Sequence, residues 1–241
     1  MSRTRRSAPA LLGKDIFRSG RYLRYFNPDD PRNPFFHLYE RKRRDVADLI
    51  LQSQGPGRIL DIGGGGGRLV RALDEPAQAR TVLADISEDM LRLAKKTGGR
   101  KNGARLVSAD AHRLPFRDRS FDLVVGLDLL CHLEEPATAL REFHRVLTDG
   151  GILILDSSNS NPLWTFFYPR YLGWNPLNWL RIFSGGGVSP GWRLIVKHYP
   201  KKTFFSFLER AGFEITRRIA YGPAVCPKWH LAVSRKKDRS G

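Results

Sequence analysis

The stretch Ile59-Leu60-Asp61-Ile62 runs directly into five consecutive glycines, Gly63 to Gly67, and nothing else in this 241-residue chain restricts the fold so tightly. A short apolar run ending at an acid and then glycine reads as a buried strand turning sharply into a helix. Leu69-Val70-Arg71-Ala72-Leu73 supplies that helix. Glycine reaches positive φ without steric cost and lets backbone approach a ligand closely, so such a turn is a place to hold a small molecule. Two familiar nucleotide loops are excluded by spacing. A dinucleotide fingerprint needs glycines at offsets 0, 2 and 5, and a phosphate-cradling loop needs glycines at 0 and 5 followed by lysine. Here the run is only five residues long and Arg68 follows it. The strand-like and helix-like flanks argue against a flexible linker.

The rest of the chain alternates in the same manner. Phe36, Tyr39, Val46, Leu49 and Ile50 recur at near-helical spacing over Phe35–Gln54, and Gly55-Pro56-Gly57 ends that helix. Thr81–Ala84, Leu106–Val107, Phe121–Leu127 and Gly151–Leu155 read as further buried strands, with Met90–Lys96 and Pro136–Leu147 as helices between them. Lys201–Gly212 reads as a late helix, and Phe213–Thr216 and His230–Ser234 as a closing pair of strands. Short apolar strands alternating with helices predict an α/β fold with a parallel sheet covered on both faces.

Charge is distributed unevenly. The net charge is +17, yet residues 28–158 balance to zero; residues 1–27 carry +6 and residues 159–241 carry +11. A basic surface of this kind attracts anions: phospholipid headgroups, nucleic acid or a phosphorylated substrate. The basic tail around Arg235-Lys236-Lys237 reads more simply as a solubilising end. Cys131 and Cys226 give neither a disulfide framework nor metal-ligand spacing, and no metal is expected. The basic N-terminus lacks the apolar core of a secretory signal, and no long uncharged apolar run suggests a membrane span. The expected location is therefore the cytoplasm, with the basic ends allowing peripheral contact at the inner face of a membrane.

Three acids and two longer patterns carry the chemistry. Asp61-x-Gly63-x-Gly65-x-Gly67 resembles motif I of the class I S-adenosylmethionine-dependent methyltransferases. Asp85 closes a second strand 24 residues later, where an acid can accept hydrogen bonds from both ribose hydroxyls. Asp110, in Val107-Ser108-Ala109-Asp110-Ala111, resembles the family acid that meets the adenine amino group. Leu114-Pro115-Phe116-x-Asp118-x-Ser120-Phe121-Asp122 and Ala139-Leu140-Arg141-Glu142-x-x-Arg145-Val146-Leu147-x-x-Gly150-Gly151 are similar to signatures of the ubiquinone and menaquinone C-methyltransferase group. Asp149 stands where that group commonly has proline, which reads as a harmless turn substitution. Gly64 and Gly66 replace frequent side chains, which reads as an entropic cost that leaves ligand contacts intact.

The resemblance implies a doubly wound, Rossmann-like, mostly parallel seven-stranded sheet with helices on both faces and S-adenosylmethionine as cofactor. It implies a single domain over residues 28–241, with an N-terminal helical cap, an aromatic recognition insertion over 159–200 after the fifth strand, and a mobile basic segment over 1–27. Asp61, Gly63, Gly64, Gly65, Gly67, Asp85, Ile86, Met90, Asp110, Ala111, Gly126 and Leu127 would bind the cofactor, with Asp85 at the ribose and Asp110 at the adenine. His132 is the base candidate, its ordinary pKa lying near neutrality, and Asp128 is its rival.

The acceptor must be read from elsewhere. Residues 159–200 hold ten aromatics in 42 positions, mixed with Arg170, Arg181, Arg193 and Lys197. Aromatic rings among cations have the composition of membrane-interfacial segments. Trp164, Tyr168, Trp174 and Trp192 are expected at the substrate, with Tyr22, Tyr25 and Tyr39 from the N-terminal side, and Phe35 and Phe36 as packing. The acceptor expected is a quinone, polyprenoid or other lipid-like or phosphorylated metabolite. RNA is the second reading, electrostatically apt but without the side-chain pattern of nucleic-acid methylases after the fourth strand. A soluble aromatic metabolite is the third.

Overall fold

The computed structural model describes residues 35–52, 57–98, 103–159, 197–225 and 227–237. Most of the expected insertion, the segment 1–27, and Tyr22, Tyr25, Trp164, Tyr168, Trp174 and Trp192 lie outside the described residues.

Seven strands form one sheet: β1 Ile59–Ile62, β2 Thr81–Asp85, β3 Arg105–Ser108, β4 Phe121–Gly126, β5 Leu147–Ser158, β6 Phe213–Tyr221 and β7 Trp229–Lys236. Their spatial order is β3-β2-β1-β4-β5-β7-β6. The first five are mutually parallel, and β7 enters antiparallel between β5 and β6. The order reverses between β1 and β4. That crevice, at the carboxyl ends of the strands, is where an open α/β sheet binds its ligand.

Among the described residues, six helices accompany the sheet: α1 Phe36–Gln52, α2 Arg68–Ala72, α3 Glu75–Ala79, α4 Glu88–Gly98, α5 Pro136–Val146 and α6 Lys201–Arg210. Every residue of β1 is buried because both faces are covered. Leu60 and Ile62 face one core together with Leu140 and Phe143 of α5 and Phe204 and Leu208 of α6. Ile59 faces the other, with Val46 and Ile50 of α1 and Leu69 of α2. Asp61 therefore points to the α1 side, toward the glycine turn.

Several boundaries differ from the sequence reading for identifiable reasons. α3 carries few apolar residues, but Asp74 caps it by accepting a hydrogen bond from the Ala77 N–H (2.9 Å). β5 begins four residues before Gly151, because Leu147 already pairs with Phe121 and a register shift before Ile152 absorbs the residues between. Asp149 is more than a turn filler, since Arg119 and Lys236 each reach its carboxylate at 3.2 Å. β6 extends through Arg217 and Arg218 as an edge strand, where charged residues face solvent and guard against further pairing.

The two long sequence signatures turn out to be one clamp. The Arg145 guanidinium donates to the Leu114 and Phe116 carbonyls (3.1 and 2.8 Å), to Asp118 Oδ1 (2.8 Å) and to Glu142. Glu142 in turn accepts the Leu114 N–H at 2.7 Å. Arg145 therefore fixes the loop that leads into β4, a role its planar fork of donors suits.

Candidate active site

Gly63, Gly65 and Gly67 have φ of 70°, 54° and 75°, so the alternation in Asp-x-Gly-x-Gly-x-Gly corresponds to alternate left-handed residues. A side chain at any of the three would be strained. Gly64 has ordinary φ but no free space: a Cβ there would stand 2.6 Å from Asp61 Oδ2 and 2.8 Å from the Leu83 side chain. Its glycine is a steric requirement, a constraint additional to the entropic cost read from the sequence. Gly66 is more permissive, meeting only the methyl end of Leu93 at 3.0 Å.

The acids of the site are held mainly by backbone. Gly65 N–H donates to Asp85 Oδ2 (2.9 Å) and Ser87 N–H to Asp85 Oδ1 (2.8 Å). Each carboxylate oxygen retains a second lone pair for a ligand hydroxyl. Ser87 separately caps α4, its hydroxyl lying 3.4 Å from the Met90 nitrogen. Met90 lies over the glycine turn, its Sδ 4.0 Å from where a Gly65 Cβ would stand, and Ile86 is half-buried between the capping residues. Ala109 N–H bonds to the Asp85 carbonyl (3.0 Å), which brings the β3 end, with Asp110 and Ala111, beside Asp85. Asp110 Oδ1 lies 2.7 Å from His112 Nδ1 and accepts the His112 N–H at 3.0 Å.

Asp61 stands apart from these. It is 2% exposed, and its Oδ2 has no hydrogen-bond partner. Burial, and then the nearby Asp85 carboxylate, push its pKa up to about 7, and Arg68 only partly offsets them. An orphaned buried carboxylate beside backbone that approaches closely suits a cationic ligand. S-adenosylmethionine, with its ammonium and sulfonium, meets that requirement. Tyr39, Lys42, Asp61, Gly63, Leu127 and Asp128 enclose a cavity of about 50 Å³, room for one end of such a molecule. The rest would run along the open rim from Asp85 to Asp110, past the buried Gly126 at the end of β4.

One wall of this cavity belongs to a network that the sequence reading did not identify. Lys42 of α1 is 1% exposed; its Nζ donates to Asp128 Oδ1 at 2.7 Å and to Asp156 Oδ2. Asp156 Oδ1 also accepts the Asp128 N–H (2.7 Å). Burial alone would lower the Lys42 pKa, but Asp128 and then Asp156 outweigh it and hold it above its ordinary value. Asp128, at φ 55°, is one of only two non-glycine residues with positive φ among the described residues. It is positioned by this network and is engaged as Lys42's partner. Trp229 roofs the group, with Lys42 Nζ 4.6 Å and Lys228 Nζ 5.4 Å from its ring centroid. Phe35 packs edge-on at 5.8 Å, as packing was expected to, and Tyr39 packs tilted at 4.7 Å. One signal was legible: Lys42 lies three residues after Tyr39 and four before Val46, on the apolar stripe of α1.

His132 ends a 3₁₀ turn, Leu130–His132, in which its N–H bonds to the Leu129 carbonyl (2.9 Å). Burial lowers its pKa to about 4 against the pull of Asp128, so the imidazole is neutral throughout the physiological range. Residues 197–199 run beside it, with Lys197 N–H bonded to the Cys131 carbonyl at 2.8 Å. His198 is likewise lowered, to about 3, first by burial and then by Lys228. Burial also lowers Lys228, to about 8.

The comparisons with known proteins agree with this geometry. Residues 60–155 match the family model described as a methyltransferase domain. The chain is 34% identical over 189 residues to the ubiquinone/menaquinone biosynthesis C-methyltransferase UbiE of Ectopseudomonas mendocina, covering 72% of this chain and 70% of that one. It is 39% identical over 117 residues to the demethylmenaquinone methyltransferase of Thermus thermophilus, covering 48% and 53%. In fold it is similar to the magnesium protoporphyrin IX methyltransferase of Synechocystis PCC 6803 with bound S-adenosylhomocysteine, at TM-score 0.66 and 19% identity, over 93% and 98% of the two chains. Sheet order, glycine turn and paired acids define an S-adenosylmethionine-dependent methyltransferase. Within that class, the chain belongs to the methyltransferase family that includes the ubiquinone/menaquinone C-methyltransferases.

Proposed function

We propose that this enzyme methylates a ring carbon of a quinol-like lipid, which it meets at an anionic membrane surface. The observation that carries the reading is the 34% identity, across most of the chain, to a relative named for ubiquinone and menaquinone C-methylation. The aromatic, basic composition of residues 159–200 and the +11 charge of residues 159–241 support it. S-adenosylmethionine supplies an activated methyl on sulfur. The chain supplies alignment, exclusion of water and a place for the proton.

Asp85 and the glycine turn fix the donor's position, and in-line alignment of this kind can contribute as much as about 7–11 kcal/mol. Trp229, Tyr39 and Phe35 shield the acceptor side from water. As the ring carbon–methyl bond forms and the sulfur–methyl bond breaks, the ring must lose one proton. His132, neutral at physiological pH, is the group to receive it.

The test is an untargeted comparison of methylated lipids and metabolites, made with active enzyme and with His132→Ala, using demethylated quinol in anionic vesicles. A C-methylated quinol that disappears with His132→Ala, while cofactor affinity persists, is the expected result. Methylated tRNA, or a soluble O-methyl phenol with no lipid product, would replace this reading.

A further inference from the structure

A second cavity lies at the other end of the strand order from the glycine turn. It has a volume of about 550 Å³ and sits where α6, the β6–β7 edge and the end of β5 meet. Three strand positions separate it from β1, roughly 15 Å at ordinary strand spacing. A cavity of this size suits a ligand of drug-like dimensions.

Its lining combines two chemistries. Lys201, Arg218 and His230 are basic, Phe205, Ile219 and Val225 are apolar, and no carboxylate lines it among the described residues. The Arg218 guanidinium lies 4.5 Å from the Phe205 ring centroid, and among the described residues its acidic neighbour is Glu209, at 3.8 Å with both side chains more than half exposed. Such a pair is weak and leaves the guanidinium available. Lys201 opens α6 next to Pro200, at a helix N-terminus with no side-chain cap. His230 is 6% exposed and lines the cavity; its ring packs against Phe205 at 6.2 Å and makes no side-chain hydrogen bond among the described residues. The ring nitrogens are open to the space of the cavity and can donate to or accept from a ligand there. Burial, and then the Lys201 ammonium, lower its pKa, consistent with the two basic groups sharing this space.

We infer that this cavity binds a phosphate or diphosphate ester carrying an apolar chain, with the anion between Lys201, Arg218 and His230 and the chain over Phe205, Ile219 and Val225. The match is of charge and of composition: two cations and an imidazole, a helix N-terminus beside them, and apolar side chains in the same lining. The inference stands on this cavity alone and does not depend on the identity of the methyl acceptor. The ester can be a headgroup in a bilayer or a monomeric lipid phosphate, since both present the same group.

The test is calorimetric titration of the full-length protein with monomeric octyl phosphate, alongside inorganic phosphate and octyl glucoside as half-ligands. Octyl phosphate is expected to bind at least tenfold tighter than either. Lys201→Gln/Arg218→Gln is expected to weaken it at least tenfold, and Val225→Asp, at a residue 78% exposed and therefore safe for folding, comparably. Cofactor affinity, measured on the same samples, is expected to stay within twofold, which shows that the variants are folded. Loss of cofactor binding by the unmodified protein would overturn the methyltransferase reading instead. Sedimentation with phosphatidylglycerol but not phosphatidylcholine vesicles, competed by octyl phosphate, identifies the bilayer as source; octyl phosphate binding without sedimentation identifies the monomer. Octyl phosphate binding that is absent, no tighter than inorganic phosphate, unchanged in both variants, or displaced by tRNA at moderate salt would overturn the proposal.

Discussion

On the donor side, Asp85 receives its hydrogen bonds from Gly65, 20 residues away, and Ser87, two residues away, both through backbone N–H groups. On the opposite wall of the cavity, Lys42 reaches Asp128 and Asp156 across 86 and 114 residues of chain, entirely through side chains. The Asp85 side is therefore a local construction whose donors survive most substitutions. The Lys42 side is held by one buried ammonium whose two carboxylate partners come from separate segments of the chain. A break in backbone geometry should damage the first, and loss of a single charge the second.

The largest expected effect follows from that single charge. Lys42→Met leaves Asp156 buried without its counter-ion, and removing one member of a buried pair costs about 3–5 kcal/mol. Urea unfolding should show that loss, and Lys42→Met/Asp156→Leu should recover part of it. If the double variant is no more stable than the single, the three side chains do not act as a charge-paired unit.

Asp85→Ala should act on the other side. It removes acceptors from two backbone N–H groups and from the ribose, and should weaken S-adenosylmethionine binding roughly 100-fold, the equivalent of about 2.7 kcal/mol. Lys42→Met/Asp156→Leu, which alters one wall of the same cavity but leaves Asp85 in place, should weaken the same calorimetric affinity less than Asp85→Ala does. Equal losses in the two would erase the distinction between the sides.

The smallest effect sharpens the donor side. The Asp61 pKa is raised from 3.8 to about 7, so the folded protein holds a proton that the unfolded chain has already released. Between those values the site's contribution to stability falls as pH rises. A cationic ligand reverses the balance by favouring the carboxylate. Affinity for S-adenosylmethionine should therefore rise by up to about tenfold per pH unit below pH 7, level off above it, and be accompanied by proton release. Calorimetry in buffers of different ionisation enthalpy measures that release, and Asp61→Asn should abolish it.

Legibility followed the same division. The glycine turn, Asp85 and Asp110 could be placed from sequence because strand, turn and helix follow one another within a few residues. The Glu142 and Arg145 signature was visible as a pattern, but its purpose, tying down the Leu114–Asp118 loop, emerged only from the folded clamp. Sequence marks Asp128 as a rival base, whereas its carboxylate is bonded to Lys42. It offers His132 for an ordinary pKa near neutrality, and burial moves that pKa to about 4. Asp156, Lys228 and Trp229 carried no local mark at all, since nothing beside them in the chain announces their neighbours.

The sequence by itself determined the parallel α/β sheet, the turn at Gly63–Gly67 and the donor that this turn accepts. Period, glycine placement and acids at strand ends are properties of short segments, and short segments express them independently of the rest. Only the tertiary structure decided that Lys42 would be buried between two carboxylates, that Gly64 has no room for a side chain, and that Lys201, Arg218 and His230 share a cavity. Those outcomes depend on which distant segments the sheet order brings together, and on how far burial removes their charges from water.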